Sequence, residues 1–120
     1  TGPFWAHINW GHMSSPDMVD WNDHKPVLWP EPGYDSFGIW SGDVIRNDQG
    51  TPVIMYTGGD GETYSMCLAQ PRDEDLMNWE KFDGNPVVPG VPESFARKDM
   101  RDPYLWKEGD TYYMIVGFGV

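Results

Sequence analysis

"GDVIRNDQGTPVIMYTG", residues Gly42–Gly58, returns further along the chain as "RDPYLWKEGDTYYMIVG", residues Arg101–Gly117. Asp43 aligns with Asp102, Gly50 with Gly109 and Met55 with Met114, each pair 59 residues apart. In both copies two alternating apolar runs flank polar, Gly-containing punctuation, which is the pattern of a β-hairpin. Working outward, a second pair of segments repeats at nearly the same spacing. "SPDMVDWNDHKPVLWP" (Ser15–Pro30) resembles "DEDLMNWEKFDGNPVVPG" (Asp73–Gly90), with Trp21 and Trp79 58 residues apart.

Each repeat holds several short extended runs. Asp43–Arg46 leads through Asn-Asp-Gln-Gly to Pro52–Thr57, "GGDG" (Gly58–Gly61) turns into Thr63–Gln70, Asp73–Trp79 reads as a short turn or helical wrap, and a last extended piece reaches Val87–Val88. Three or four antiparallel strands in about 58 residues is the size of a propeller blade. A sandwich also uses short strands, but it does not explain why one pattern returns in register. The expected fold is all-β, with antiparallel four-stranded blades and about two blades' worth of a propeller. Residues 1–35 read as the outer part of one blade, 36–90 as a full blade, and 91–120 as the inner part of the next.

In a propeller the first strand of each blade lines the central channel. The 59-residue match therefore predicts Asp43 and Asp102 at equivalent positions on neighbouring inner strands, at the mouth of one funnel. Two carboxylates facing one cavity raise each other's pKa, and such pairs are often functional. Asp also caps turns beside Pro or Gly. The repeat alone leaves both roles open.

Composition narrows the partners. The 120 residues carry a formal net charge of −11, which repels nucleic acid and anionic membrane surfaces. No apolar run approaches the roughly 18 residues of a membrane helix. Fourteen Gly and 11 Pro favour short strands over long helices. Seven Trp and six Tyr fit a neutral ligand such as a sugar, whose rings stack on flat aromatic faces, although a core role competes for each ring. The one cysteine, Cys67, forms no intrachain disulfide and reads as a buried, inert thiol. No Asn-x-Ser/Thr acceptor occurs.

No metal or cofactor is expected. His7 and His12 face opposite sides of an extended strand, and neither they nor His24 lie in a zinc-like cluster. "DGE" (Asp60–Glu62) lacks the rest of a calcium loop, and "GGDG" lacks the helix that follows a phosphate-binding loop.

Five segments occur in a telling order: "NWGHMSSPDMVDW" (Asn9–Trp21), "YDSFGIWSGDV" (Tyr34–Val44), "MYTGG" (Met55–Gly59), "NWEKFDGNPVV" (Asn78–Val88) and "RDPYLW" (Arg101–Trp106). The set resembles glycoside hydrolase family 32, which contains invertases, levanases, inulinases and related fructosyltransferases. The resemblance implies a five-bladed β-propeller with a funnel-shaped site that cleaves β-fructosidic bonds with retention. It implies an Asp nucleophile, a Glu general acid/base, and a second Asp, in Arg-Asp-Pro, that stabilises the transition state. Asp102 matches this last position, and Arg101 would grip the fructose ring and hold Asp102 ionised. Trp40 and Ser41 match the aromatic-Ser pair that contacts fructose. Asp43 stands where many members carry Ser. A sugar hydrogen bond, a cation or an Arg partner are all open for it.

The nucleophile's Asn-Asp-Pro-Asn-Gly motif and the Glu-Cys acid/base motif do not occur in the 120 residues. "WNDH" (Trp21–His24) places Asp23 on a surface turn, Glu108 belongs to a hairpin turn and Glu93 to a Pro-flanked loop. The segment is therefore expected to be internal to a longer enzyme and inactive alone. Its partners are expected to be a fructose-containing oligo- or polysaccharide and the rest of the propeller, or a second copy joined through exposed blade edges. A secreted or extracellular location is expected from where such polymers occur. A non-catalytic carbohydrate-binding module and a purely structural half-propeller are the alternatives.

Overall fold

Eight strands form three antiparallel sheets in the computed structural model, which describes residues 7–94 and 99–119. Residues 1–6, 95–98 and 120, which the expected blade ranges include, lie outside the described residues. The first sheet pairs β1 (Trp10–Ser14) with β2 (Asn22–Leu28). The second runs in the order β3 (Gly38–Arg46), β4 (Pro52–Gly59), β5 (Tyr64–Pro71) and β6 (Trp79–Lys81). The third pairs β7 (Met100–Glu108) with β8 (Thr111–Phe118).

Strand alternation decides how the sheets stack. Successive side chains point to opposite faces. Ile54 and Tyr56 of β4, with Cys67 and Ala69 of β5, pack against Val27 and Leu28 of β2, and Trp10, Tyr34 and Trp79 close over them. Met55 and Met66, on the other face, meet Met100, Leu105, Met114 and Val116 of the third sheet. The middle sheet is thus covered on both faces, and β4 is buried continuously from Ile54 to Gly59. Burying each large side chain of this kind contributes about 1.5–3 kcal/mol.

The connections carry the repeat. The indole N–H of Trp21 donates to the Met18 carbonyl at 3.2 Å, and that of Trp79 to the Leu76 carbonyl at 2.8 Å. Met18 and Leu76 share a left-handed backbone, with φ of 64° and 60°. Asp73 does not start a helix: it accepts the amides of Met77 and Asn78 and folds a tight loop into β6. The fourth strand is therefore Trp79–Lys81, earlier than the extended piece expected at Val87–Val88. Beyond it the Asn85 side-chain amide pairs with both backbone groups of Leu68, and Val88 makes a single bridge to Met66. Asp23 also departs from expectation, since it lies within β2 opposite Met13, exposed, rather than on a turn.

The 59-residue register needs correcting. Asp43 pairs with Met55, but the residue paired with Met114 is Leu105. The second strands keep step at 59 residues while the first strands keep step at 62. The reason is the turn: five residues, 47–51, join β3 to β4, whereas two, Gly109 and Asp110, join β7 to β8. Asp102 therefore sits level with Trp40, not with Asp43.

Candidate active site

Two interrupted strands build the site. In β3 the pairing with β4 slips between Trp40 and Gly42, leaving Ser41 as the extra residue. Glycine is required at 42, because a Cβ there would come within 2.0 Å of the Met55 carbonyl oxygen. In β7 the pairing with β8 breaks between Arg101 and Tyr104. Pro103 has no N–H to give to a ladder, so Arg-Asp-Pro writes this break into the sequence. Asp102 adopts φ 61°, a left-handed conformation that Asp tolerates better than most residues. Its side chain is exposed and its amide donates to the Thr57 hydroxyl at 3.1 Å.

The aromatic wall is held from behind. Trp40 is half-buried, its ring so close to Gly38 and Gly59 that a Cβ on either would come within 2.9 Å or 2.6 Å of it. Tyr64 meets Trp40 edge-on at 5.2 Å between ring centroids, and Phe37 stacks on it at 5.8 Å. Arg101 extends over the other partner of this group, its guanidinium carbon 5.5 Å from the centre of the Tyr64 ring. Among the described residues Arg101 makes no ion pair, so the expected Arg101–Asp102 pairing is replaced by this cation–π contact. Trp40 and Ser41 open onto a groove of about 390 Å³ that Asn9, Trp10 and Gly11 also line. The Trp10 indole N–H fixes that wall by donating to the Trp40 carbonyl at 2.7 Å.

Both oxygens of the Asp43 carboxylate are engaged by backbone amides. One carboxylate oxygen accepts the Leu105 amide and the other the Val44 amide, each at 2.8 Å. The side chain fastens β3 to β7 instead of facing open space beside Asp102.

The histidines do not converge on a metal. His12 and His24 lie opposite each other on β1 and β2 with rings 4.9 Å apart, and His24 shares a 2.7 Å hydrogen bond with Ser14. Partial burial, and then the neighbouring His24, hold His12 below the ordinary imidazole pKa. Among the described residues no group of three or more His, Cys, Asp or Glu side chains is placed to hold a metal ion. A larger cleft of about 580 Å³ lies between β2 and β6, lined by Trp29, Trp79 and Lys81, and holds none of the expected site residues.

The model of the glycosyl hydrolases family 32 N-terminal domain matches residues 1–120. The chain belongs to glycosyl hydrolase family 32. It is 35% identical to a bifunctional 6(G)-fructosyltransferase/2,1-fructan:2,1-fructan 1-fructosyltransferase of Allium cepa, over 95% of the chain and 20% of that protein. It is 33% identical to a cell wall isozyme of β-fructofuranosidase from Zea mays, over 97% of the chain and 21% of that protein. The crystal structure of fructan 1-exohydrolase IIa from Cichorium intybus superposes with a TM-score of 0.83 at 29% identity, covering 94% of this chain and 22% of that one. A variant of that enzyme in complex with 1-kestose superposes with a TM-score of 0.82. The chain thus spans about a fifth of the length of the relatives it matches. Its sheets correspond to a portion of the family 32 propeller.

Reading the sequence missed three residues that shape this part of the family 32 chain. Thr57 is fully buried and touches both interrupted strands. Tyr64 carries Arg101 and braces Trp40. Asp35 is 1% exposed and accepts hydrogen bonds from Tyr56, Lys81 and the Glu31 amide. Only Thr57 left a signal, a polar residue in an otherwise apolar central strand.

Proposed function

We propose that this segment supplies one wall of the fructose subsite in a retaining enzyme that cleaves, or transfers across, β-fructosidic bonds of the sucrose, levan or inulin type. The observation that carries the reading is the joining of two chain breaks. Asp102, in its left-handed turn, and Ser41, in its bulge, are bound to one and the same Thr57 hydroxyl. That arrangement supports a fixed relation between a carboxylate and a Trp-Ser pair, the residues proposed to contact sugar.

The chemistry follows from charge development. As the glycosidic bond breaks, the fructosyl ring takes on oxocarbenium character. Its hydroxyls become better hydrogen-bond donors as the ring loses electrons. A carboxylate accepting from them binds the transition state more tightly than the ground state, and this difference accelerates the reaction. Asp102 is assigned this role. Arg101, held over Tyr64, presents guanidinium donors to sugar oxygens, Trp40 is the apolar wall and Ser41 offers a hydroxyl. The attacking carboxylate and the acid/base carboxyl would come from elsewhere in a longer chain. The 120 residues alone are proposed to be inactive, and the whole enzyme to act outside the cell or in its wall.

The test is product analysis with the full-length enzyme that carries this segment. Fructose released from sucrose, levan or inulin, with the β-anomer appearing first, is the expected result. Binding of these sugars without any turnover would instead support the carbohydrate-binding reading.

A further inference from the structure

We propose that Thr57 is a positioning residue for the site: its hydroxyl ties the Ser41 bulge to the Asp102 turn and so sets the direction of the Asp102 carboxylate. This rests on the transition-state role assigned to Asp102.

A threonine hydroxyl has one donor and two acceptor positions. At Thr57 the donor goes to the Ser41 carbonyl at 3.0 Å, and an acceptor takes the Asp102 amide at 3.1 Å. Both backbone groups need such a partner. The β3–β4 register slips at Ser41, and the β7–β8 register breaks at Asp102, so neither group has its normal place in a ladder. Both hydrogen bonds are partly shielded from solvent by the buried Thr57, so losing either is costly, and one hydroxyl satisfies two backbone groups. Thr57 stands on β4 opposite Trp40, with no exposed surface, so it touches no sugar. Its action is through the other two residues.

The geometry gives this hydroxyl leverage. Asp102 is held at φ 61°, a conformation less stable than the extended one for a residue with a Cβ. Without the Thr57 acceptor the amide is freed, and return to an extended backbone swings the Asp102 Cβ and carboxylate off their present line. The Ser41 carbonyl loses its donor at the same moment. A valine has the shape of threonine but neither bond, whereas a serine keeps both.

The experiment uses the full-length enzyme with sucrose as substrate, and four variants: Thr57→Val, Thr57→Ser, Asp102→Asn and Thr57→Val with Asp102→Asn. Misplacing a catalytic group by about 1 Å costs on the order of 100-fold, so Thr57→Val should lower kcat by roughly 10–100-fold with KM held within about 3-fold. Thr57→Ser should restore most of kcat. The double variant should be no slower than Asp102→Asn alone, because the carboxylate that Thr57 positions is already gone. A loss that multiplies on the Asp102→Asn background, or Thr57→Val at the wild-type kcat beside a slow Asp102→Asn, overturns the inference and leaves the role of Asp102 standing. Wild-type turnover by Asp102→Asn removes that role, and this inference with it. Should Thr57→Val not fold, hydrogen exchange at the Asp102 amide decides. Slow exchange in the wild type, and in Thr57→Ser, is expected, and exchange at the rate of a free amide contradicts the tie.

Discussion

The Asp43 carboxylate accepts the backbone amide of Leu105 at 2.8 Å, joining β3 of the second sheet to β7 of the third across 62 residues of chain. Its second oxygen holds the Val44 amide at 2.8 Å. A half-buried carboxylate shared between two backbone donors is a fastening, stronger than a neutral hydrogen bond because its acceptor is charged.

Asp43→Ala should therefore lower the unfolding free energy of the full-length enzyme by about 1–3 kcal/mol, and Asp43→Asn by less, since the amide keeps one oxygen. Urea unfolding followed by tryptophan fluorescence measures both, and KM for sucrose should stay at the wild-type value. Weaker substrate binding at unchanged stability would return Asp43 to the sugar contacts.

Lys81 should prove the most sensitive position of the outer strand. Its ammonium lies 2.7 Å from Asp35 Oδ2, an oxygen that also accepts the Tyr56 hydroxyl at 3.0 Å, and a second contact at 3.0 Å reaches Glu31. Removing the cation strands a buried carboxylate, which typically costs about 3–5 kcal/mol. Tyr56→Phe removes one hydrogen bond to a charged acceptor and should cost about 1.5–3 kcal/mol. The expected order in denaturant is Lys81→Met below Tyr56→Phe below wild type. The reverse order would show that Tyr56, not the ion pair, anchors Asp35.

Alkali should loosen the middle sheet. Burial, followed by the nearby Asp35 carboxylate, pushes the Cys67 thiol from 9.0 up to about 12, and burial raises the Tyr56 phenol as well. Between pH 9 and 12 the unfolded chain has released the thiol proton and the folded chain has not, so stability falls as pH rises through this window. Below pH 9 the protonated thiol's contribution to stability is fully retained. A Cys67→Ala variant should show a flatter decline in unfolding free energy from pH 8 to 11. In the wild type, iodoacetamide at pH 8 should leave Cys67 unmodified until the protein is unfolded. Rapid labelling of the native protein would contradict the burial of this thiol.

How much of this was legible varies with the range of the interaction. The hairpins and the Trp21–Trp79 repeat were readable because turn residues and alternation act within a few residues; the indole bonds that fold both loops were not. Cys67, read as a buried thiol because it is the one cysteine, is fully buried. The register between repeats was not readable. A turn longer by three residues shifts the first strands against the second, and no local pattern reports the shift. The Leu105 partner of Asp43 and the whole role of Asp35 were missed for a related reason, since their partners come from another sheet or another end of the same one. Arg101 was expected to hold the carboxylate beside it in sequence, whereas its guanidinium lies over Tyr64, a partner 37 residues away that no local pattern announces.

Turnover by Asp102→Asn bears most directly on the proposed role of this segment. In the full-length enzyme acting on sucrose, the neutral amide keeps the size of the side chain and loses its charge. The account predicts a fall in kcat of about 100-fold or more, with KM changed by only a few-fold, as for loss of a group that acts in the transition state. A kcat equal to that of the wild type would contradict it.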